Sequence, residues 1–335
     1  MNYPLTFAQR LRAGALCTTL AATMLGGISH AATTEAGKLP SPMTLIVPYG
    51  PGGTGDVIAR LVAEGLSQNA QGSIIVDNKP GAAGSIGAAS ASRAAPDGRT
   101  VLLAYTSEMV INPIVQPDIT YQVSSFEPVA FAGATPLLLV TNPKVPAKNL
   151  DELIALGQKS EMSLSYASAG LGSPAHIAGA LLARLGNMEL LHVPYKGGSP
   201  AVVDTVAGNV DMYFSGMPPA VPFVRDGKLN GLGVTASRPS PALPDVPALA
   251  TGKYSELDLS GWFGFFVPKG VPDDVRQTLN VAFNEVLQSE RVKEQLRNLG
   301  VETQAMTSEE FASFVSGEEK KYSDLISKLE IRIGQ

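Results

Sequence analysis

The sequence is poor in the residues that build metal centres and disulfides: it has one cysteine, Cys17, three histidines and one tryptophan. A lone cysteine closes no intramolecular disulfide and makes no Cys-based metal site. His30, His176 and His192 are too few and too scattered for a histidine-rich metal centre, so no metal and no cofactor is expected. Charged residues make up 16% of the chain, the formal net charge is −5, and no Lys/Arg cluster recurs on one predicted face, which argues against nucleic acid as a partner. Hydrolytic signatures are missing too. There is no Gly-x-Ser-x-Gly strand-to-helix elbow, and neither His176 nor His192 has an evident Ser and Asp partner.

What is present begins with Arg10 and Arg12, the apolar stretch Ala13 to Ile28, and Ser29-His30-Ala31 with small residues at the first and third places. These are the three regions of a secretory signal, with cleavage expected after Ala31. The apolar stretch is shorter than the roughly 20 residues of a membrane span, and no later segment reaches that length. Residues 1–31 are therefore read as a signal peptide, and the remaining 304 residues as an exported, periplasmic chain long enough for two domains.

Strand-like and helix-like runs alternate: Thr44 to Val47, Asp56 to Ser67, Ser73 to Asp77, Ser85 to Arg93 and Thr100 to Ala104. A second set starts at Leu137 to Val140 and proceeds through Leu150 to Lys159, Ser163 to Ala167, Pro174 to Leu185, Glu189 to Val193, Pro200 to Ala207, Asp211 to Ser215 and Gly231 to Thr235. Two βαβ cadences predict two α/β lobes, each a mostly parallel sheet flanked by helices. Long helices over Pro272 to Leu299 and Ser308 to Lys328 end the chain, the last with Phe311, Phe314, Val315, Tyr322 and Leu325 on roughly one face. A cleft between lobes is where a ligand is expected.

The most informative segment is Val47-Pro48-Tyr49-Gly50-Pro51-Gly52-Gly53-Thr54-Gly55-Asp56, a glycine-rich turn from a strand onto a helix start. Such a turn brings bare N–H groups and the positive helix end to one point, an anion site. Thr54 is placed as N-cap, with Asp56 in the first turn. Similar starts follow Gly81 to Gly84, Ser168 to Ser173 and Gly197 to Ser199; in the last two a Ser-Pro pair matches an N-cap followed by proline at the first helical position. Neither Gly50 to Asp56 nor Ser168 to Pro174 contains a basic residue, so N–H groups and hydroxyls would have to attract an anion.

Gly50 to Gly55 also fits G-x-G-x-x-G, with Asp77 lying 22 residues beyond Gly55. Export and Pro51, which removes a donor from the loop, weigh against a dinucleotide. The absence of a following Lys-Ser or Lys-Thr excludes a Walker site. His176 is read either as a cleft hydrogen-bond donor or as a packing residue, His192 as structural. Tyr49 is placed in the cleft; for Tyr195 cleft and core remain open.

The ordered segments VPYGPGGTGDVIARLVAEGL, IIVDNKPGAAGSIGA, AAPDGRTVLLA, SYASAGLGSPAHIAGALL, HVPYKGGSPAVVDTVAGNVDMYF, GKLNGLGVTASRPSPALPDVPALA and GWFGFFVPKGVP resemble the extracytoplasmic solute-binding proteins of the tripartite tricarboxylate transporter group, the Bug family. The resemblance spans essentially the whole mature chain. It implies a two-lobed periplasmic-binding-protein fold of type II, the Venus flytrap, acting as a monomer, not an enzyme. The expected lobes are residues 40–137 with 237–335, and residues 138–236. It further implies a small organic carboxylate as ligand and integral-membrane transporter subunits as partners. The ligand residues it selects are Tyr49, Pro51, Gly52, Gly53, Thr54 and Asp56 from the first loop and Ser168, Gly170, Ser173 and His176 from the second, with Thr106, Ser107 and Ser215 as further candidates. Asp56 is read as orienting its loop through N–H groups, because a carboxylate repels an anion. Ser215-Gly216 stands where many members have Asp-Asn, a departure that admits a larger or more apolar acid. A ligand-binding sensor domain serving a signalling receptor and a secreted enzyme using the same cleft are the competing readings.

Overall fold

A computed structural model describes residues 39–69, 73–116, 118–159 and 164–329, all within one compact unit. The expected signal peptide lies outside the described residues.

The first half opens with β1 (Met43–Val47), α1 (Thr54–Asn69), β2 (Ile74–Asn78), α2 (Ser85–Ser92) and β3 (Thr100–Tyr105). A π-helical turn, Ser107–Ile111, and the short α3 (Asn112–Val115) lead to β4 (Phe126–Thr141). There follow α4 (Leu150–Gly157), β5 (Leu164–Ser168), α5 (Pro174–Gly186), β6 (Leu190–Pro194), α6 (Gly198–Ala207), β7 (Met212–Gly216), α7 (Met217–Arg225) and β8 (Asn230–Val234). The chain closes with β9 (Ser260–Pro268), α8 (Asp273–Gln288), α9 (Glu290–Asn298) and α10 (Ser308–Leu329).

β4 joins two half-sheets. Its residues 126–136 pair antiparallel with β9, and its residues 137–141 pair antiparallel with β7 and β8. The first half-sheet runs β2-β1-β3-β9-β4 and the second β4-β7-β5-β6, with β8 also on β4. The expected parallel pairing holds within the βαβ units, β1 with β2 and β3, and β5 with β6 and β7. Both half-sheets are nevertheless mixed, because β4 and β9 lie outside that cadence and enter antiparallel. Separate apolar clusters cover them: Leu45, Ile58, Phe265 and Phe283 in one, Leu139, Leu153, Leu181 and Phe214 in another.

The predicted helix over Pro272 to Leu299 is two helices. Ser289 takes φ −60 and ψ 136, its hydroxyl donating to the Val286 carbonyl and its own carbonyl accepting from Lys293 N–H. That extended residue ends α8 and starts α9 in a new direction. α10 buries Phe311, Tyr322 and Ile326; Phe311 meets Trp262 edge-on at 5.8 Å.

Candidate functional site

Four helices start at one place. First-turn or capping residues of α1 (Gly53, Thr54, Gly55), α5 (Ser173, Ala175), α6 (Gly198) and α7 (Gly216, Pro219) line a single inner chamber of about 40 Å³. By volume this holds a few waters or one carboxylate group. Its remaining wall is mostly aromatic, Tyr49, Tyr105, Tyr213, Phe214 and Phe263 with Leu137 and Ala169, and among the described residues no charged side chain lines it. Each helix end contributes roughly 0.3–1 kcal/mol toward an anion, up to about 2 when partly buried, so the combined field favours a small negative group without a cation.

Local sequence explains the convergence. Each helix follows a strand whose C-terminal end reaches the same edge, the crevice at which α/β sheets hold ligands. Ser173 caps α5, accepting from His176 N–H at 3.3 Å, with Pro174 at the first helical position as the Ser-Pro pair predicts. The other Ser-Pro pair differs. Gly197 caps α6, and Ser199 lies inside its first turn, donating to the Pro51 carbonyl at 3.0 Å. α1 begins at Thr54 itself, one residue earlier than an N-cap assignment implies.

The first loop is organised by Asp56. Its carboxylate accepts from Gly52 N–H at 2.9 Å, from Arg60 Nε at 2.9 Å and from Asn78 Nδ2 at 3.0 Å. Burial alone would raise its pKa, but Arg60, the Gly52 N–H and Asn78 together hold it below the usual carboxylate value. Asp56 lines neither cavity; it fixes the turn that presents Gly53 and Thr54.

A larger outer cavity of about 440 Å³ adjoins the chamber and shares Tyr49 and Ala169 with it. Its floor is the Gly81–Gly84 turn, where Ala82 and Ala83 both hold left-handed φ angles of 47° and 46°. Residues with a Cβ occupy that region at a cost, so a surrounding constraint is required. Asn112 Nδ2 supplies it by donating to the Ala83 carbonyl at 2.9 Å, with the Tyr49 hydroxyl at 3.3 Å. Gly170, Leu171 and Tyr195 form part of the opposite wall.

Of the sequence-selected residues, Tyr49, Gly53, Thr54 and Ser173 line the inner chamber, and Tyr49 and Gly170 the outer cavity. Pro51 and Gly52 stand beside Ser199 instead. Thr106 is fully buried, its hydroxyl accepting from Trp262 N–H, and Ser107 is fully buried behind the lining. The Ser215 hydroxyl donates to the Gly216 carbonyl and lines neither cavity.

Ser168 and His176 lie behind the second loop and shape it. The Ser168 Oγ is 2.7 Å from His192 Nε2 and also contacts the Gly170 carbonyl and N–H, which leaves it no face for a substrate. His176 Nδ1 accepts from Gly172 N–H, and its ring stacks on His192 at 4.3 Å, which stacks in turn on Tyr166 at 4.7 Å. Burial lowers the His176 pKa to about 4; burial and then the neighbouring His176 charge lower that of His192 to about 3. His192, read from sequence as structural, thus bears directly on a loop residue.

Sequence reasoning missed Tyr105, Tyr213 and Phe263. As aromatic residues in buried strands they carry a core signature, and only the end position of Tyr105 on β3, matching that of Tyr49 beyond β1, could have pointed to the site.

A two-lobed α/β fold with a small anion-favouring chamber between helix starts defines a solute-binding protein of the periplasmic type. Residues 58–331 match the family described as "Tripartite tricarboxylate transporter family receptor", and the chain belongs to that family. It is 34% identical to Protein BugT of Bordetella pertussis over 299 residues, covering 88% of this chain and 92% of that one. Among solved structures it resembles "R. palustris Rpa4515 with adipate" at 27% identity and TM-score 0.84, covering 87% of this chain and 97% of the other. It also resembles "MatC (Rpa3494) from Rhodopseudomonas palustris with bound malate" at 29% identity and TM-score 0.80, covering 85% and 98%.

Proposed function

We propose that this protein is exported with cleavage near Ala31, captures a small organic carboxylate between its lobes as a monomer, and delivers it to integral-membrane transporter subunits without chemical change. The lobes are residues 40–137 with 237–335, and residues 138–236, a division supported by the change of partner along β4 at Leu137. The carboxylate sits in the inner chamber against Gly53, Thr54 and Ser173, with Tyr49 and Gly170 beside it. Pro51, Gly52 and Asp56 shape the first loop and Ser168 and His176 the second. Thr106, Ser107 and Ser215 support the lining from behind.

The observation that carries this reading is the meeting of four helix starts on a chamber with no charged lining. Such a site attracts a monoanionic oxygen pair, to which the N–H groups of the helix starts and the Thr54 hydroxyl can donate. The adipate and malate in the two structural neighbours support the same class.

A ligand that binds only the folded, closed protein raises Tm by mass action. A thermal-shift panel of mono- and dicarboxylates, aromatic acids and amino acids should therefore show stabilisation by at least one carboxylate and none by the matching alcohols. No shift across the whole panel overturns the reading. Delivery is tested separately by uptake of that carboxylate in a deletion strain; unimpaired uptake favours a sensor role.

A further inference from the structure

One glycine separates a buried carboxyl group from the outer cavity. Gly84 lines that cavity, and a Cβ on it would run into Glu108 Oε1, so no side chain stands between the two. Glu108 belongs to the π-helical turn after β3 and is fully buried. Its Oε2 accepts from Tyr105 N–H at 2.6 Å, and Oε1 has no hydrogen-bond partner among the described residues. An ionised carboxylate with one oxygen buried and unpaired is costly, so the group is held as the acid with its proton on Oε1.

The same carboxyl competes for the phenol of Tyr49, a residue that lines both cavities. The Tyr49 hydroxyl donates to the Ala83 carbonyl at 3.3 Å and helps to hold the left-handed Ala82-Ala83 turn of the cavity floor. It also lies within reach of Glu108, where its pull opposes the rise in pKa caused by burial. A phenol has one proton to give. While Glu108 is protonated, that proton stays on Ala83; an ionised Glu108 is a charged acceptor, roughly twice as strong as a neutral one, and takes it. The floor turn then loses a tie and gains a negative charge behind it, and both changes disfavour an anion in the cavities.

The titratable groups around Glu108 among the described residues are phenols: Tyr49 from the first loop, Tyr105 at the end of β3 and Tyr121 beyond α3. α10, packed on the same turn, adds Tyr322. All four are raised by burial and stay neutral. The partly buried Glu318 of α10 pairs with Lys321 at 3.6 Å, and the remaining charges of that helix are exposed. α2, α3 and β9 carry no titratable side chain. His176 and His192, lowered to about 4 and about 3, stay neutral above pH 6.

Building on the carboxylate reading above, we propose that Glu108 is a positioning residue whose proton is needed for capture: the acid form leaves Tyr49 on the cavity floor and admits an anion, and loss of the proton weakens the hold on it. Burial sets the pKa of Glu108 near 8 in the unliganded protein, and by linkage a bound carboxylate raises it further. Affinity is therefore level on the acid side and falls as pH rises past about 8.

Calorimetric titration with benzoate, adipate and malate at pH 6.5 identifies the tightest of the three, which is then titrated at pH 8.5 and 9.5 in buffers of different ionisation enthalpy. Its Kd should be about fivefold or more weaker at pH 9.5 than at pH 6.5, and binding at pH 8.5 should take up about half a proton. Glu108→Gln, which keeps the shape of the acid, should bind equally well at all three pH values and take up none. Tyr49→Phe, which removes the opposing pull, should move the onset of the decline to higher pH. A wild-type Kd that is constant from pH 6.5 to 9.5 with no proton uptake overturns the role of Glu108 and leaves carboxylate capture standing. So does a decline that persists unchanged in Glu108→Gln, or an onset that stays put in Tyr49→Phe. Absence of binding by all three acids at pH 6.5 overturns both readings. Should Glu108→Gln not fold, proton uptake by the wild type and the onset in Tyr49→Phe decide the matter.

Discussion

The hydroxyl of Ser199 donates to the carbonyl oxygen of Pro51 at 3.0 Å, tying the first turn of α6 to the glycine-rich loop across 148 residues of chain. It is a contact between the two sides of the site, so it exists only while they are together. A neutral hydrogen bond of this kind nets about 1 kcal/mol. Ser199→Ala should therefore raise the ligand Kd about fivefold, mostly through faster dissociation, with Tm of the unliganded protein nearly unchanged. Stopped-flow release and calorimetry separate the two effects.

Gly216 sits as close to the first loop as a residue can without a side chain. A Cβ there would lie 2.5 Å from Thr54 Oγ1, although its φ of −57° and ψ of 149° suit any residue. Gly216→Ala should thus fold normally and close poorly, with affinity down tenfold or more. Removing the opposing hydroxyl relieves the clash, so the Gly216→Ala, Thr54→Ala double variant should bind better than the sum of its single losses predicts. Strict additivity would place these residues apart in the bound state.

Asp56 acts on the ligand through the loop it holds. Replacing it by alanine leaves Gly52 N–H and Asn78 Nδ2 without their carboxylate partner, and Asn78 also donates to the Tyr49 carbonyl at 2.9 Å. Asp56→Ala should cost about 2 kcal/mol of stability and roughly tenfold in affinity. Asp56→Asn, which keeps an acceptor for Gly52, should recover much of both in denaturant melts and titrations.

These residues also show how far the sequence reaches. The helix starts at Thr54, Ser85, Pro174 and Gly198 were legible to within a residue or two because capping and glycine chemistry are local. The first eleven residues of β4 were not read as strand. Pro128 and Pro136 interrupt the run as breakers, and the pairing with β9 shifts register beside Pro128 and again at Phe131 to Gly133. Ser199 was legible as a capping type, but its partner Pro51 is far away in sequence, and no local rule assigns a hydroxyl across that distance. The same holds for Gly216 and Thr54, whose meaning is a distance between loops.

Glu108 gives the protein an alkaline limit. It is fully buried in the π-helical turn, with Oε2 accepting from Tyr105 N–H at 2.6 Å and Oε1 without a hydrogen-bond partner among the described residues. Burial raises its pKa to about 8, against the opposing pull of the Tyr49 phenol and the Tyr105 N–H. The phenols around it, Tyr49, Tyr105 and Tyr121, are raised by burial and stay neutral. A carboxyl that titrates near 4.5 when unfolded and near 8 when folded binds more protons in the folded state, so stability falls as pH rises between those values. His176 and His192 act oppositely, since their lowered pKa values mean that acid charges the unfolded chain first and stability falls below about pH 6.5. Two histidines outweigh one carboxyl on the acid side, which puts the stability maximum near pH 6.5. From there to pH 8 the wild type should lose roughly 1 kcal/mol, the Glu108 loss being partly offset by the two histidines. Glu108→Gln, which keeps the shape of the protonated acid, should abolish that decline and leave the acid limb in place, as read by Tm across pH 4–9. A wild-type Tm that is flat from pH 6.5 to 8 would show that Glu108 is already ionised in the folded protein.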